Sequence, residues 1–141
     1  CWGLNRRGQL GNGTTVDRRS PAPVDRTGVL AGKTLTRMNA GGSHTCAVDT
    51  LGRAYCWGAD HFGQLGAGSR VRHYRLRPIA VDRTGALSGK MLTGINAGTF
   101  HTCALSRAGR AYCWGANGYG QLGTGTTTDQ RVPAAVKGPL A

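Results

Sequence analysis

Apolar and polar positions along this chain alternate in short runs, and no stretch of useful length keeps a helical period. The runs read as strands separated by glycine turns. The clearest unit is a hairpin: His44–Asp49, a connection Thr50-Leu51-Gly52, then Arg53–Trp57. A three-residue loop commonly makes a type I turn closed by a residue at positive φ, which glycine adopts without a Cβ clash. Gly52 holds that position, and Gly109 holds it in the matching Arg107-Ala108-Gly109. The turn dictates pairing of 49 with 53, 48 with 54, 47 with 55 and 46 with 56. Lys33–Ala40 and Lys90–Ala97, rich in Thr, Leu, Met and Ile, predict the strand before each hairpin. A fourth strand is expected near Pro21–Asp25 and Pro78–Asp82.

Repetition organises these elements. Cys-Trp-Gly occurs at Cys1, Cys56 and Cys113, and five residues after each of its glycines comes Gly-Gln-Leu-Gly, beginning at Gly8, Gly63 and Gly120. Residues 22–68 align with 79–125 without a gap, at about 30 identities in 47 positions. Arg53 through Ala59 matches Arg110 through Ala116 throughout. A period in the fifties with short strands suits a propeller blade of four antiparallel strands, so the expected fold is all-β. The expected repeats are residues 1–50, 51–107 and 108–141, the first truncated at its start and the last at its end, which makes the chain a fragment.

Composition alone points elsewhere. Leu, Ile, Val and Phe make up about 17% of the chain, a level that with high net charge signals disorder. The fixed register of Trp, Cys and Gly overrides that signal. The core of each unit is nevertheless expected to be thin, with Trp and Tyr carrying much of its apolar area.

The cysteines compensate. The hairpin register sets Cys46 opposite Cys56 and Cys103 opposite Cys113, close to disulfide reach. Such pairs at fixed spacing predict disulfides and an oxidising compartment. Buried free thiols are one alternative. Zinc is another, since His44, Cys46 and Cys56 share a hairpin face, although three ligands and two easily oxidised thiols suit it poorly. His44 and His101 are expected to be satisfied structural histidines. Cys1 sits at the position of Cys56, with its expected partner ten residues upstream, outside the chain.

Eighteen Lys and Arg against six Asp and no Glu leave a net charge of +12. That excess attracts polyanions: nucleic acid, acidic cell-surface polymers or acidic proteins. The densest run is Arg70, Arg72, Arg75 and Arg77, with His73 and Tyr74 between them, a candidate surface for an anionic partner. The competing expectation for this run is a solvated connection between strands. No apolar run approaches the length of a membrane helix.

Other motifs carry no chemistry. Gly63-Gln64-Leu65-Gly66-Ala67-Gly68 lacks the Lys-Ser/Thr of a phosphate loop and reads as a turn. Asp25-Arg26-Thr27-Gly28 and its copy at Asp82 read as turns capped by Asp, with the glycine at positive φ. Without Glu, with scattered Asp and no nucleophile–base–orienter set, an enzyme is not expected. Nothing implies a cofactor or a metal.

Gly41, His44, Thr45 and Ala47, then Tyr55, Trp57, Gly58 and Gly63-Gln64-Leu65-Gly66, recur at Gly98 through Gly123. Together they resemble the RCC1 (regulator of chromosome condensation) repeat, Gly-x-x-His-Ser/Thr-x-Ala … Tyr-x-Trp-Gly-x-Asn-x-x-Gly-Gln-Leu-Gly. The resemblance covers nearly the whole chain and departs from the pattern at Asp60, where Asn is usual. It implies a seven-bladed propeller, of which this chain is somewhat more than two blades. The added cysteines and the Val-Asp-Arg-Thr-Gly…Gly-Lys segment resemble bacterial, exported members. The expected function is a non-enzymatic scaffold, extracellular or in the cell envelope, that binds a protein or an anionic cell-surface polymer. Guanine-nucleotide exchange on a small GTPase and DNA or chromatin binding are the rivals, the first requiring reduced cysteines and a cytoplasmic location. Open sheet faces predict poor solubility in isolation.

Overall fold

A computed structural model describes residues 1–69 and 73–138. They form two four-stranded antiparallel sheets. The first runs β1 (Leu35–Ala40), β2 (His44–Asp49), β3 (Ala54–Ala59) and β4 (Tyr74–Ala80); the second runs β5 (Leu92–Ala97), β6 (His101–Ser106), β7 (Ala111–Gly115) and β8 (Gln130–Ala135). Strand order follows chain order in both sheets. No helix able to cross a membrane is present among the described residues.

The turn chemistry sets the hairpin register. Gly52 and Gly109 have φ of 69° and 75°, and Cys46 pairs with Cys56 and Cys103 with Cys113. Both pairs are disulfide-bonded, with Cα atoms 4.1 Å apart. Asp49 braces the first turn: its Oδ1 accepts from the Leu51 and Arg53 amides, and its Oδ2 accepts from the Tyr55 hydroxyl at 2.9 Å.

Two expectations are corrected. The fourth strand begins earlier than Pro78, at Tyr74, and its counterpart is Gln130–Ala135, while Pro21–Asp25 forms no strand. Proline draws the eye to a strand boundary, but Pro78 and Pro133 lie inside outermost strands, where a missing N–H costs the ladder little. In the Asp-capped turns, Thr27 and Thr84 do donate to Asp25 and Asp82. Gly28 and Gly85 are not at positive φ, however; Gly32 and Gly89, four residues on, adopt it at 67° and 66°.

The sheets pack through β1 and β2 against β5. The core between them gathers Cys46, Val48, Cys56, Ile95, Ala104 and Trp114 with Leu65, Val81 and Leu87 from the connections. Strand β2 is buried along its whole length, whereas β6 alternates, with Leu105 45% exposed. Trp57 and Trp114 are fully buried. Each indole removes roughly 200 Å² from water, worth up to about 5 kcal/mol, which offsets the scarcity of aliphatic side chains.

Candidate functional site

The topology divides the loops between two rims. The β1–β2 and β3–β4 connections and their copies lie on one rim; the hairpin turns and the connection into the next sheet lie on the other. On the first rim most repeated residues are spent on joining one repeat to the next. The Gln9 carbonyl accepts from Trp57 Nε1 at 3.0 Å and Thr45 Oγ1 at 2.8 Å. The Gln64 carbonyl accepts from Trp114 Nε1 at 2.9 Å and Thr102 Oγ1 at 2.7 Å. Gly11 and Gly66 lie directly over the two indoles, where a Cβ would come within 2.6 Å of Nε1. The Gly-Gln-Leu-Gly loop is thus a turn that clamps the following sheet.

His44 completes the second clamp. Its Nε2 lies 2.8 Å from Thr102 Oγ1. The threonine proton goes to the Gln64 carbonyl, which can only accept, so Nε2 must carry the histidine proton. Nδ1 is left unprotonated and buried without a protein partner. Burial first, then the field of His101, push His44 down to about 4, so it is neutral at ordinary pH. His44 is structural as expected but only half satisfied, bonded at Nε2 and not at Nδ1, and the disulfides consume the thiolates a zinc site would require.

The arginine run is divided. Arg70 and Arg72 lie outside the described residues. Arg75 and Arg77 are on β4 rather than in a solvated connection. Arg77 Nε is 2.8 Å from Asp25 Oδ2, an ion pair whose arginine side chain is largely exposed. Arg75 Nη2 donates to Ser69 Oγ at 3.2 Å, and its Nε is buried without a protein partner. With Gly13, His73, Tyr74, Leu76 and Ile79 they line an open groove of about 610 Å³ along β4.

Beside the groove, charges from three repeats meet, which the sequence did not disclose. His73 stacks on His61, ring centroids 4.9 Å apart and planes 16° from parallel. Arg7 of the first repeat donates to His61 Nε2. Arg131 of β8 reaches the carbonyls of His61 and Ser69. Burial, then Arg7, then His73 hold His61 below its ordinary value. Beneath them lies the buried Asp60, held above the usual carboxylate range because desolvation outweighs the Leu65 amide, Arg131 and Arg75. Next to this cluster Phe62 and Phe100 pack at 5.3 Å, both part-exposed, and Tyr119 is 97% exposed. Only the 57-residue offset, which puts Phe62 and Tyr119 at one loop position, hinted at this rim.

The RCC1 repeat pattern, "Regulator of chromosome condensation (RCC1) repeat", matches residues 1–48, 52–105 and 108–141, and a second RCC1 pattern matches 36–64 and 93–121. The chain belongs to the RCC1 repeat family. It is 36% identical over 138 residues to the Arabidopsis thaliana ultraviolet-B receptor UVR8, covering 98% of this chain and 30% of that protein. It is 32% identical to the human probable E3 ubiquitin-protein ligase HERC4, covering 96% of this chain but 12% of the ligase. The ligase activity is therefore not carried over. Yeast RCC1 (Prp20), solved with Kap60 bound, superposes with a TM-score of 0.77 at 21% identity, over 98% of this chain and 33% of that one. A second Prp20p structure, from Saccharomyces cerevisiae, whose description names binding to Gsp1p and histones, gives 0.74 at 22% identity. These likenesses establish an RCC1-type β-propeller fold. The chain spans a third or less of these relatives.

Proposed function

We propose that this RCC1 chain is part of a non-enzymatic, exported binding scaffold that holds a protein partner on the rim bearing its β1–β2 and β3–β4 connections. One observation carries the reading. Residues shared between the repeats, such as Thr45, Thr102, Trp57 and Trp114, are buried in the inter-repeat clamps. Residues that differ at matching positions stand at the rim: Arg7, Phe62 and Tyr119 in one loop, Ser43 and Phe100 in another. A rigid sheet framework presenting variable loops is how propellers recognise ligands. The two disulfides support export, because such bonds persist in oxidising compartments. The protein partners named for the yeast relatives make a protein the first class to try.

The test is a binding panel of purified secreted proteins and anionic envelope polymers against the wild type and a Phe62→Ala, Phe100→Ala, Tyr119→Ala variant. The expected result is a protein ligand whose affinity drops at least about tenfold in the variant while the melting temperature stays within a few degrees. A ligand bound equally by both would overturn the rim assignment. Accelerated nucleotide release from a small GTPase, with all four hairpin cysteines reduced in the native protein, would overturn the reading.

A further inference from the structure

Resting on that reading, we infer that the cluster of Arg7, His61, His73, Arg75 and Arg131 is a proton-linked seat for an acidic peptide segment, which continues into the groove along β4. Guanidiniums from three successive repeats gather here, Arg75 and Arg131 acting on the carboxylate of Asp60, which is 2% exposed, and Arg7 on His61. The cluster lies around one pair of stacked imidazoles and leaves Arg75 Nε buried without a protein partner. An oxyanion entering there meets donors already in place. Arg75 and Arg131 are steadied by Ser69 and by the His61 carbonyl, so little side-chain freedom is lost on binding.

His61 makes the seat sensitive to protons. A guanidinium has no acceptor, so its contact with Arg7 requires His61 Nε2 to be unprotonated. His61 is therefore neutral at rest, with its proton on Nδ1. The groups facing the pair are Arg7 from the first repeat, Asp60 beneath, Arg75 on β4 and Arg131 on β8. Burial first, then Arg7 and His73, oppose a further positive charge on His61 and hold it below its ordinary value. A bound carboxylate reverses that balance. Protonated His61 then releases Arg7, and both turn their N–H groups to the ligand. Binding takes up protons, so affinity rises as pH falls through the imidazole range.

Peptide is favoured over nucleic acid by what surrounds the charges. Leu76 and Ile79 line the groove together with Arg75 and Arg77, a mixture suited to alternating apolar and acidic side chains. Phe62 and Phe100 meet at 55°, engaging each other rather than offering parallel faces to stacked bases. Strand addition is not the mode: β4 is outermost, but Pro78 lacks an N–H and Gly13 already donates to the Leu76 carbonyl. Side chains therefore do the recognising.

The experiment is fluorescence anisotropy of the intact protein with a labelled short peptide of alternating Asp and Leu, from about pH 7.5 to about pH 5.5, where Asp stays ionised. Affinity is expected to rise about tenfold across that range, with proton uptake seen calorimetrically in buffers of different ionisation enthalpy. In a His61→Gln, His73→Gln variant the change should shrink below about twofold, and Arg7→Gln should weaken binding at the lower pH about tenfold. Arg107→Gln on the opposite rim should leave it unchanged. Persistence of the full pH effect in the double variant would sink the proposal, as would a single-stranded oligonucleotide of matched charge that outcompetes the peptide. Should a protein partner bind the rim yet ignore both the double variant and Arg7→Gln, the seat is wrong and the scaffold stands. If no protein binds by any route, the scaffold itself fails.

Discussion

The loop after the third strand of the middle repeat and the same loop in the last repeat start from one position and are held by different means. Asn117 is a complete hub. Its Oδ1 accepts from the Leu122 amide, and its Nδ2 donates to Thr124 Oγ1 and to the Thr126 and Thr128 carbonyls. Asn5 does the same in the first repeat, to Leu10, Thr14 and Val16. Asp60 keeps the acceptor half, taking the Leu65 amide at 3.1 Å, but an ionised carboxylate has no proton to give. Ser69 in the middle loop instead accepts from Arg75 and Arg131. One atom's difference in a side chain thus trades a self-contained loop for one braced by cations, and those cations are the ones that reach the candidate seat.

The sharpest way to break the comparison is Asn117→Asp. It should remove three donated bonds and bury a charge, lowering stability by about 3 kcal/mol in denaturant unfolding. An effect within about 0.5 kcal/mol would mean the Asn hub does not hold the loop.

His44 tests the same rule, that burying a charge here costs stability, with the opposite charge. Its folded value of about 4 lies below the ordinary 6.5, so on acidification the unfolded chain takes the proton first. Stability present above 6.5 should be lost between 6.5 and about 4, by about 3 kcal/mol, and His44→Gln should flatten that slope.

Asp60→Asn should act in reverse, stabilising by about 1 kcal/mol at neutral pH. Since the folded value of Asp60 is raised, the wild type recovers as it protonates, and the gain should shrink as pH falls toward 3.8. A gain that is flat with pH would count against burial of a charge as its origin. The smallest effect expected is from Arg131→Gln: under about 0.5 kcal/mol globally, with faster amide exchange confined to the middle loop.

Much of the fold was legible because it depends on neighbours in the chain. A three-residue loop ending in glycine sets the register of its own hairpin, and a period-two backbone then places Cys46 against Cys56 with no long-range information. The role of Asp25 and Asp82 as turn caps is local in the same way. The fourth strands were misplaced because Tyr74–Ala80 has no glycine turn at its start, and its partner β3 ends fifteen residues earlier at Ala59. The arginine run was half-legible: composition drew attention to Arg75 and Arg77 but could not show that Asp25 neutralises one of them.

By itself, then, the chain's sequence determined the repeat, the hairpins, the disulfides and the structural place of His44, each a matter of short spacing or of patterns stated more than once. Only the tertiary structure decided which unrepeated side chains meet. Arg7, His61 and Arg131 belong to three different repeats, and nothing along the backbone relates them. They come together because the Gln9 and Gln64 carbonyls lock each sheet against the next, which converts separation along the chain into adjacency on one rim.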